Sequence, residues 1–252
     1  MREASQNRML QTDMIAIVLV EPQSPGNIGM ACRAMKNMGL RELRLVNPCQ
    51  VQHPEALKFA VSARDLLEQA VVFSSLGEAL ADREISVATT RRHGKYRQEI
   101  MTPAETAVRM HEQIGLNKGA IVFGREDNGL TTEELALCTW QATIPTDAAY
   151  GSLNLAQAVL IFCYELFKSG EAAQATATRL LAGAQESEAF YQHMERTLLR
   201  IGYLNPQNPD HIMRTFRRIF ARAALDSREV AVLRGMMTQI DWAAGEFKGK
   251  KG

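Results

Sequence analysis

The sequence predicts an α/β protein, with a mostly parallel sheet covered by helices and a small helical extension at its C-terminal end. Three observations carry this. Short apolar runs alternate with helical patterns through the first two-thirds of the chain, as in successive βαβ units. The runs at residues 14–20 and 120–123 are apolar throughout rather than at alternate positions, which suits strands covered on both faces. Near Ser169 the pattern changes: residues 171–185 are rich in Ala, Thr and Gly without strong periodicity, and three helical patterns follow. Residues 1–170 are therefore expected to form one domain, 171–185 a linker and 186–252 a helical domain.

Taken in order, the run at 14–20 is the first strand, closed by a loop of turn formers, Glu21-Pro22-Gln23-Ser24-Pro25-Gly26-Asn27. A helix over 28–38 follows, with Asn27 at an N-cap position and Gly39 as its C′ residue. Residues 43–46 read as a strand, 55–59 and 63–69 as helical pieces, 71–73 as a short strand and 75–80 as a short helix. A strand at 85–88 runs into Thr89-Thr90-Arg91-Arg92-His93-Gly94-Lys95-Tyr96-Arg97, the densest positive cluster of the first two-thirds. Thr102 caps the next helix with Pro103 at its first position. The strand at 120–123 stops at Gly124, and Arg125-Glu126-Asp127-Asn128-Gly129 forms a polar turn. Thr131 and Thr132 then open a helix with Glu133 and Glu134 in its first turn. After a strand at 141–145, Tyr150-Gly151-Ser152 leads into a long helix from Leu153. That helix is apolar on more than one face (Leu153, Ala156, Leu160, Cys163 and Phe167; Val159, Phe162 and Leu166), so it is expected in the core or between subunits. The tail patterns cover 186–201, 210–222 and 227–242.

The whole chain sets bounds. At 252 residues, 46% hydrophobic and 23% charged, it suits a soluble globular protein. Its longest uncharged apolar run falls far short of the roughly 20 residues that span a bilayer, and no export signal is read. Four scattered cysteines form no CxxC or Cys/His spacing, which points to free thiols in a reducing cytoplasm and to no metal. Net charge is −2 over residues 1–170 and +3 over 171–252, a modest hint at an anionic partner for the tail.

Three blocks carry residue types suited to chemistry. In the first, Asn27 opens a helix and Arg33 lies nearly two turns on, where a guanidinium can grip a phosphate bidentately. The second is Gly124-Arg125-Glu126-xx-Gly129, and the third is Gly151-Ser152-Leu153-Asn154. The last two are strand ends finishing in Gly-rich turns that open helices, leaving backbone groups facing the crevice beyond the sheet. Singly, each has a plain structural reading: Asn27 and Ser152 as caps, Asn154 as a first-turn polar residue and Arg33 as a surface arginine. GxGxxG and GxxxxGK[ST] are both absent, so dehydrogenase and P-loop readings lack their defining residues.

Together, and at this order and spacing, the blocks resemble the three motifs of the SPOUT superfamily of S-adenosyl-L-methionine-dependent RNA methyltransferases, in its TrmH-like 2′-O-ribose branch. The segments IVLVEPQSPGNIGMACRAMKNMGL, LVNP, VFGREDNGLTTEEL and YGSLNLAQAV carry the likeness. The tail segments FYQHMERTLLRIGYL and IMRTFRRIFARAALDSREVAVLRG narrow it to the branch that methylates cytidine or uridine at nucleotide 32 of the tRNA anticodon loop. The resemblance implies a deep trefoil knot in the C-terminal part of the α/β domain, an exception to the rule that chains do not thread loops. It implies a cytoplasmic homodimer, with tRNA as partner and S-adenosylmethionine as cofactor. The cofactor loops map onto Thr89, Thr90 and Arg91, onto Gly124 and Gly129, and onto Ile144, Gly151, Ser152 and Leu153. The catalytic set maps onto Asn27, Arg33, Glu126, Ser152 and Asn154.

The implied reaction is direct in-line transfer, in which positioning supplies roughly 7–11 kcal/mol of the barrier. A guanidinium hardly loses its proton in proteins, so clamping a phosphate and stabilising charge on the 2′-oxygen suits Arg33 better than acting as base. Ser152 and Asn154 would orient the ribose, and Glu126 would fix the loops. In the tail, Arg214, Arg217, Arg218 and Arg222 recur at i, i+3, i+4 and i+8. They form an outward stripe opposite Ile212, Phe216, Ile219 and Phe220, and Arg92, Lys95 and Arg97 extend it toward RNA. The rivals are a TrmH-type enzyme acting on another tRNA or rRNA nucleotide, and a catalytically silent RNA-binding protein.

Overall fold

The computed structural model describes residues 12–91, 100–147, 151–170 and 180–246. Arg92, Lys95 and Arg97 of the basic loop and Tyr150 lie outside these residues. The chain divides into two compact units, Met1–Thr178 and Arg179–Gly252.

In the first unit, seven strands form one sheet: β1 (Ile15–Val20), β2 (Glu42–Val46), β3 (Val71–Phe73), β4 (Ile85–Thr89), β5 (Ile100–Met101), β6 (Gly119–Phe123) and β7 (Trp140–Ala142). Their order is β3-β2-β1-β6-β4-β7-β5, and every described pairing is parallel. β1 is an interior strand beside the central β6, with Ile17 in register with Leu43 on one side and Ile121 on the other. All six of its residues are buried, the two-sided cover that its unbroken apolar run predicts. Two strands depart from expectation. β5 was not foreseen, because two residues are too few to show a period. β7 ends at Ala142 rather than at 145, where Pro145 cannot donate to a ladder. The knot is a property of the chain's full course, which includes residues 92–99 and 148–150 outside the described set.

Among the described residues, seven α-helices cover the sheet: α1 (Pro25–Asn37), α2 (Pro54–Ala60), α3 (Arg64–Glu68), α4 (Leu76–Leu80), α5 (Pro103–Gln113), α6 (Thr132–Leu137) and α7 (Leu155–Ser169). α1 packs on α2 and α7, and α7 on α5. A Cβ on Gly29 would stand 2.2 Å from the Ala56 carbonyl oxygen, so a glycine is what lets α1 and α2 approach. The core joins Ile17, Leu19, Ile28, Met35, Ile121 and Phe162, with the rings of Phe123 and Phe162 edge to face at 5.6 Å. Cys32, Cys49, Cys138 and Cys163 are free thiols, and burial pushes Cys32 up to about 12.

Two helix starts read from the sequence are present, and each is closed by a capping box: Thr102 with Glu105 at the start of α5, and Thr131 with Glu134 at the start of α6. Two other helix starts differ. α1 begins at Pro25, with Ser24 as N-cap, so Asn27 lies inside the first turn and is not the cap. α7 begins at Leu155 with Asn154 as its cap, so neither Ser152 nor Leu153 opens it.

The second unit holds α8 (Ala184–Arg200), α9 (Asp210–Ala223) and α10 (Ser227–Glu246) around Phe190, Met194, Leu204, Met213, Val230 and Met237. α8 starts two residues inside the stretch expected to be linker.

Candidate active site at the C-terminal edge of the sheet

In a parallel sheet every strand points its C-terminal end to the same edge, and the three sequence blocks all follow such ends. β1 and β2 leave the sheet through left-handed residues, Glu21 at φ 45° and Asn47 at φ 42°. Non-glycine residues in that region store roughly 1–3 kcal/mol of strain and persist only where neighbours hold them. Asn47 is held by its bonds to the Phe73 and Ser74 carbonyls (3.1 and 3.0 Å), and Glu21 by Arg125. Its guanidinium meets the Glu21 carboxylate at 2.8 Å and the Glu134 carboxylate through two bonds of 3.0 Å, and it also donates to the Gly129 carbonyl. The Glu21 and Glu134 carboxylates push Arg125 further above its ordinary value, and Glu21 is held below its own by the Arg125 side chain. β1, the 125–129 turn and the start of α6 are thereby clasped together.

Glu126 sits at the N-terminus of α1. Its carboxylate accepts from the backbone N–H of Gln23 (2.9 Å) and Ser24 (3.2 Å) and from Asn27 Nδ2 (2.9 Å). Free N–H groups at a helix start favour a carboxylate there by about 0.3–2 kcal/mol. Asn27, only 7% exposed, passes the link on: its Oδ1 accepts from Asn154 Nδ2 at 2.9 Å. Asn154 Oδ1 in turn accepts from the N–H groups of Ala156 (2.9 Å) and Gln157 (3.4 Å), capping α7. Glu126, Asn27 and Asn154 form one relay that locks all three blocks together across more than 100 residues of chain.

Arg33 and Ser152 are placed differently. Both are exposed, and neither has a hydrogen-bond or ion-pair partner among the described residues. Arg33 lies about 9 Å along α1 from Asn27 at 1.5 Å per residue. What is locked is the scaffold, and what is left open is a guanidinium and a hydroxyl.

The expected cofactor loops converge beside this relay, because β4 lies between β6 and β7. Thr89 Oγ1 donates to the Val122 carbonyl (2.9 Å), and the Thr90 N–H to the Ala142 carbonyl (2.9 Å). A Cβ on Gly151 would lie 3.2 Å from Thr146 Oγ1 and 3.4 Å from the Arg91 side chain, so the 91 and 151 loops touch. Ile144 is half-buried against the core, while Leu153 is exposed. Gly124 has a tighter reason to be glycine than approach to a ligand. A Cβ there would sit 2.2 Å from the Gly129 carbonyl carbon, because the turn folds back on itself, with Gly129 at φ +69°. Among the described residues no group of three or more His, Cys, Asp or Glu could hold a metal, and no helix is long and apolar enough to cross a membrane.

The tail stripe needs correction. Arg217 does not face outward: its guanidinium pairs with Glu188 at 2.6 and 2.9 Å and lies 4.4 Å over the Tyr191 ring, tying α9 to α8. Ile219 does not pack either, since it is 43% exposed and Met213 takes the buried place. The other three expected residues, Ile212, Phe216 and Phe220, do pack against the core of the unit, where the Phe220 ring meets Phe190 of α8 edge to face at 5.3 Å. Arg214 is partly exposed, Arg222 is exposed, and Arg218 donates to Thr215 Oγ1 (3.1 Å).

Arg125, Glu21 and Ser24 were not singled out as site residues. Ser24-Pro25 is the signature of a cap followed by proline at the first helical position, and it could have placed the start of α1. No local signal pairs Glu21 with Arg125, 104 residues away.

Comparison with known proteins agrees with this geometry. Residues 14–164 match the model of the SpoU rRNA methylase family, and residues 185–250 that of the C-terminal domain of the tRNA methyltransferase TrmJ. The tRNA (cytidine/uridine/adenosine-2′-O-)-methyltransferase TrmJ of Pseudomonas aeruginosa is 41% identical, over 95% of this chain and 98% of that protein. The tRNA (cytidine/uridine-2′-O-)-methyltransferase TrmJ of Pectobacterium atrosepticum is 38% identical, over 90% of this chain and 97% of its own length. The crystal structure of TrmJ from Z. mobilis superposes with a TM-score of 0.79 at 38% identity, covering 90% of this chain and 98% of that one. On these matches, the chain belongs to the SpoU methylase family and, within it, to the TrmJ tRNA methyltransferases.

Proposed function

We propose that this protein transfers a methyl group from S-adenosylmethionine to the ribose 2′-oxygen of the pyrimidine at position 32 in the tRNA anticodon loop. The relay Glu126–Asn27–Asn154 carries the reading. It holds the three blocks rigid at the sheet edge while Arg33 and Ser152 stay open to an incoming nucleotide.

The strand-end loops fit the cofactor by their placement, three neighbouring ends with the 91 and 151 loops in contact. Backbone groups of residues 89–91, Gly124, Gly129, Ile144 and Gly151 to Leu153 would hold it. When bound, it would supply an electrophilic sulfonium methyl, which the 2′-oxygen would take as the C–S bond breaks, leaving the demethylated product and a proton passed to water. Arg33 clamps the neighbouring phosphate and stabilises negative charge on the 2′-oxygen. Ser152 orients the ribose. Asn154, with its oxygen spent on the α7 cap and one N–H on Asn27, acts through the scaffold.

Exposed Leu160 (40%) and Tyr164 (48%) on α7 support a homodimer, in which a second copy would cover them. Arg214, Arg218 and Arg222 supply phosphate contacts, which suits a cytoplasmic enzyme working on tRNA. Incubation of unmodified total tRNA with labelled S-adenosylmethionine, followed by mapping of 2′-O-methyls, tests the reading. Methyls confined to ribose 32 are expected. Transfer elsewhere, or none, would refute it. Because the Pseudomonas relative is named for adenosine as well, tRNAs with C, U and A at position 32 belong in the assay.

A further inference from the structure

We propose that Tyr203 is a rigid stacking platform for one unpaired base of the RNA, set beside phosphate-binding arginines of α9. The inference rests on the RNA reading above and adds a recognition element to it.

The residue is fixed at its backbone and open at its ring. α8 ends in Gly202 at φ 71°, and the N–H groups of Tyr203 (2.9 Å) and Leu204 (3.2 Å) both donate to the Leu198 carbonyl. This is the left-handed helix stop that pins the following residues. Leu204, 2% exposed, drops into the core of the unit, so Tyr203 is left on the surface and is 57% exposed. Its ring still has support from behind. It lies 6.4 Å from Phe216, which stacks on Phe220 at 6.4 Å, which meets Phe190 edge to face at 5.3 Å. Tyr203 is the solvent end of an aromatic ladder rooted in the core.

The surroundings select the ligand. Thr215, Arg218, Ile219 and Arg222 are spaced i, i+3, i+4 and i+7, so they share one side of α9, adjoining the Phe216 that supports Tyr203. A protein partner needs roughly 800 Å² on each side, whereas α9 itself exposes a single large hydrophobic side chain, Ile219, among its described residues. An exposed, rigidly backed aromatic next to a helix face that carries Arg218 and the exposed Arg222 matches single-stranded RNA. Bases stack on the ring while guanidinium groups take the phosphates.

The test compares full-length Tyr203→Ala, Tyr203→Leu and Tyr203→Phe with the wild type, using anisotropy on an unmodified tRNA transcript and on a blunt RNA duplex of similar length. Tyr203→Ala and Tyr203→Leu should weaken tRNA binding by roughly 5- to 100-fold, the range for losing one stacked base, and Tyr203→Phe should retain it. The duplex, with no unpaired base, should bind all four alike. The dependence of log K on log salt should keep its slope in Tyr203→Ala and fall by about 0.7–0.9 in Arg222→Ala. Wild-type affinity in Tyr203→Leu, or equal losses on tRNA and duplex, would overturn the platform. Failure of the wild type itself to bind or methylate tRNA would instead refute the parent reading.

Discussion

The two ends of the sheet both gather charged residues, and they use them in opposite ways. At the N-terminal end, Arg44 donates to Ala79, to Glu42 at 2.5 Å and to Asp82 at 2.6 and 2.9 Å, and its guanidinium lies 5.4 Å over Phe73. Arg83 also pairs with Glu42 and Asp82. The two guanidinium groups there are buried and face two carboxylates that balance their charge, although Arg83 Nε and Nη1 find no hydrogen-bond partner among the described residues, and the cluster holds α4 and the β4 entry to β2. At the C-terminal end, Arg125 and Glu126 are equally engaged, yet Arg33 and Ser152 stand exposed beside them. A structural charge cluster balances its own charge out of reach of solvent, whereas a site suited to a ligand leaves a charged and a polar group exposed within a locked frame.

The largest expected effect breaks the open end. Arg33→Ala should lower methyl transfer by about 10²–10³-fold or more while leaving cofactor affinity and thermal stability as they were. Single-turnover transfer with calorimetric titration of the cofactor reads both. If cofactor affinity or stability fell with activity, Arg33 would belong to the frame, and the contrast between the ends would vanish.

The counterpart sits at the closed end. Arg44→Ala should destabilise the protein by about 3 kcal/mol, because it strands carboxylates that the buried guanidinium now faces. For a chain of this size that is roughly 6–12 °C in melting temperature. Transfer per folded molecule should hold. Loss of transfer at full stability would mean that the N-terminal end also serves the chemistry.

Asn154 lies between these cases, and two substitutions separate its duties. Asn154→Ala removes both the α7 cap and the bond to Asn27, and should cost about 1–2 kcal/mol together with roughly 10–100-fold in transfer. Asn154→Asp keeps an oxygen for the cap but cannot donate to Asn27, so stability should largely return while transfer stays low. Equal recovery of both would show that the cap is all Asn154 supplies.

Much of this could be read from the chain, and the failures share a cause. The strands were legible because two-sided burial leaves continuous apolar runs, and the Thr102 and Thr131 starts because a cap residue and the first turn after it lie within a few residues of one another. Asn27 was misplaced because Ser24 and Asn27 both suit a cap; Pro25 is the local sign that favours Ser24, but what engages Asn27 instead is Glu126, 99 residues away. Arg217 was misread for the same reason: spacing places it on a stripe, but Glu188 and Tyr191 on another helix take it inward. The residue types of the site were visible locally. The division into frame and open groups was not, because it depends on partners that only the fold brings together.

The smallest effect sharpens the closed end by pH. Asp82 is held at about 2, below its ordinary 3.8, chiefly by the hydrogen bond from Arg44. A carboxyl whose folded value is depressed stabilises fully above its unfolded value, and that stabilisation fades as pH falls through the folded one. Asp82→Asn should therefore lower the melting temperature by a constant amount above about pH 5, and the gap to the wild type should close between pH 4 and 2. Because half of the Asp82 side chain is exposed, the gap should stay under about 1 kcal/mol. Glu21 at the open end, also held low by Arg125, titrates in both proteins and cancels from the difference. A gap that persisted unchanged to pH 2 would show that Asp82 holds the closed end through packing rather than through its charge.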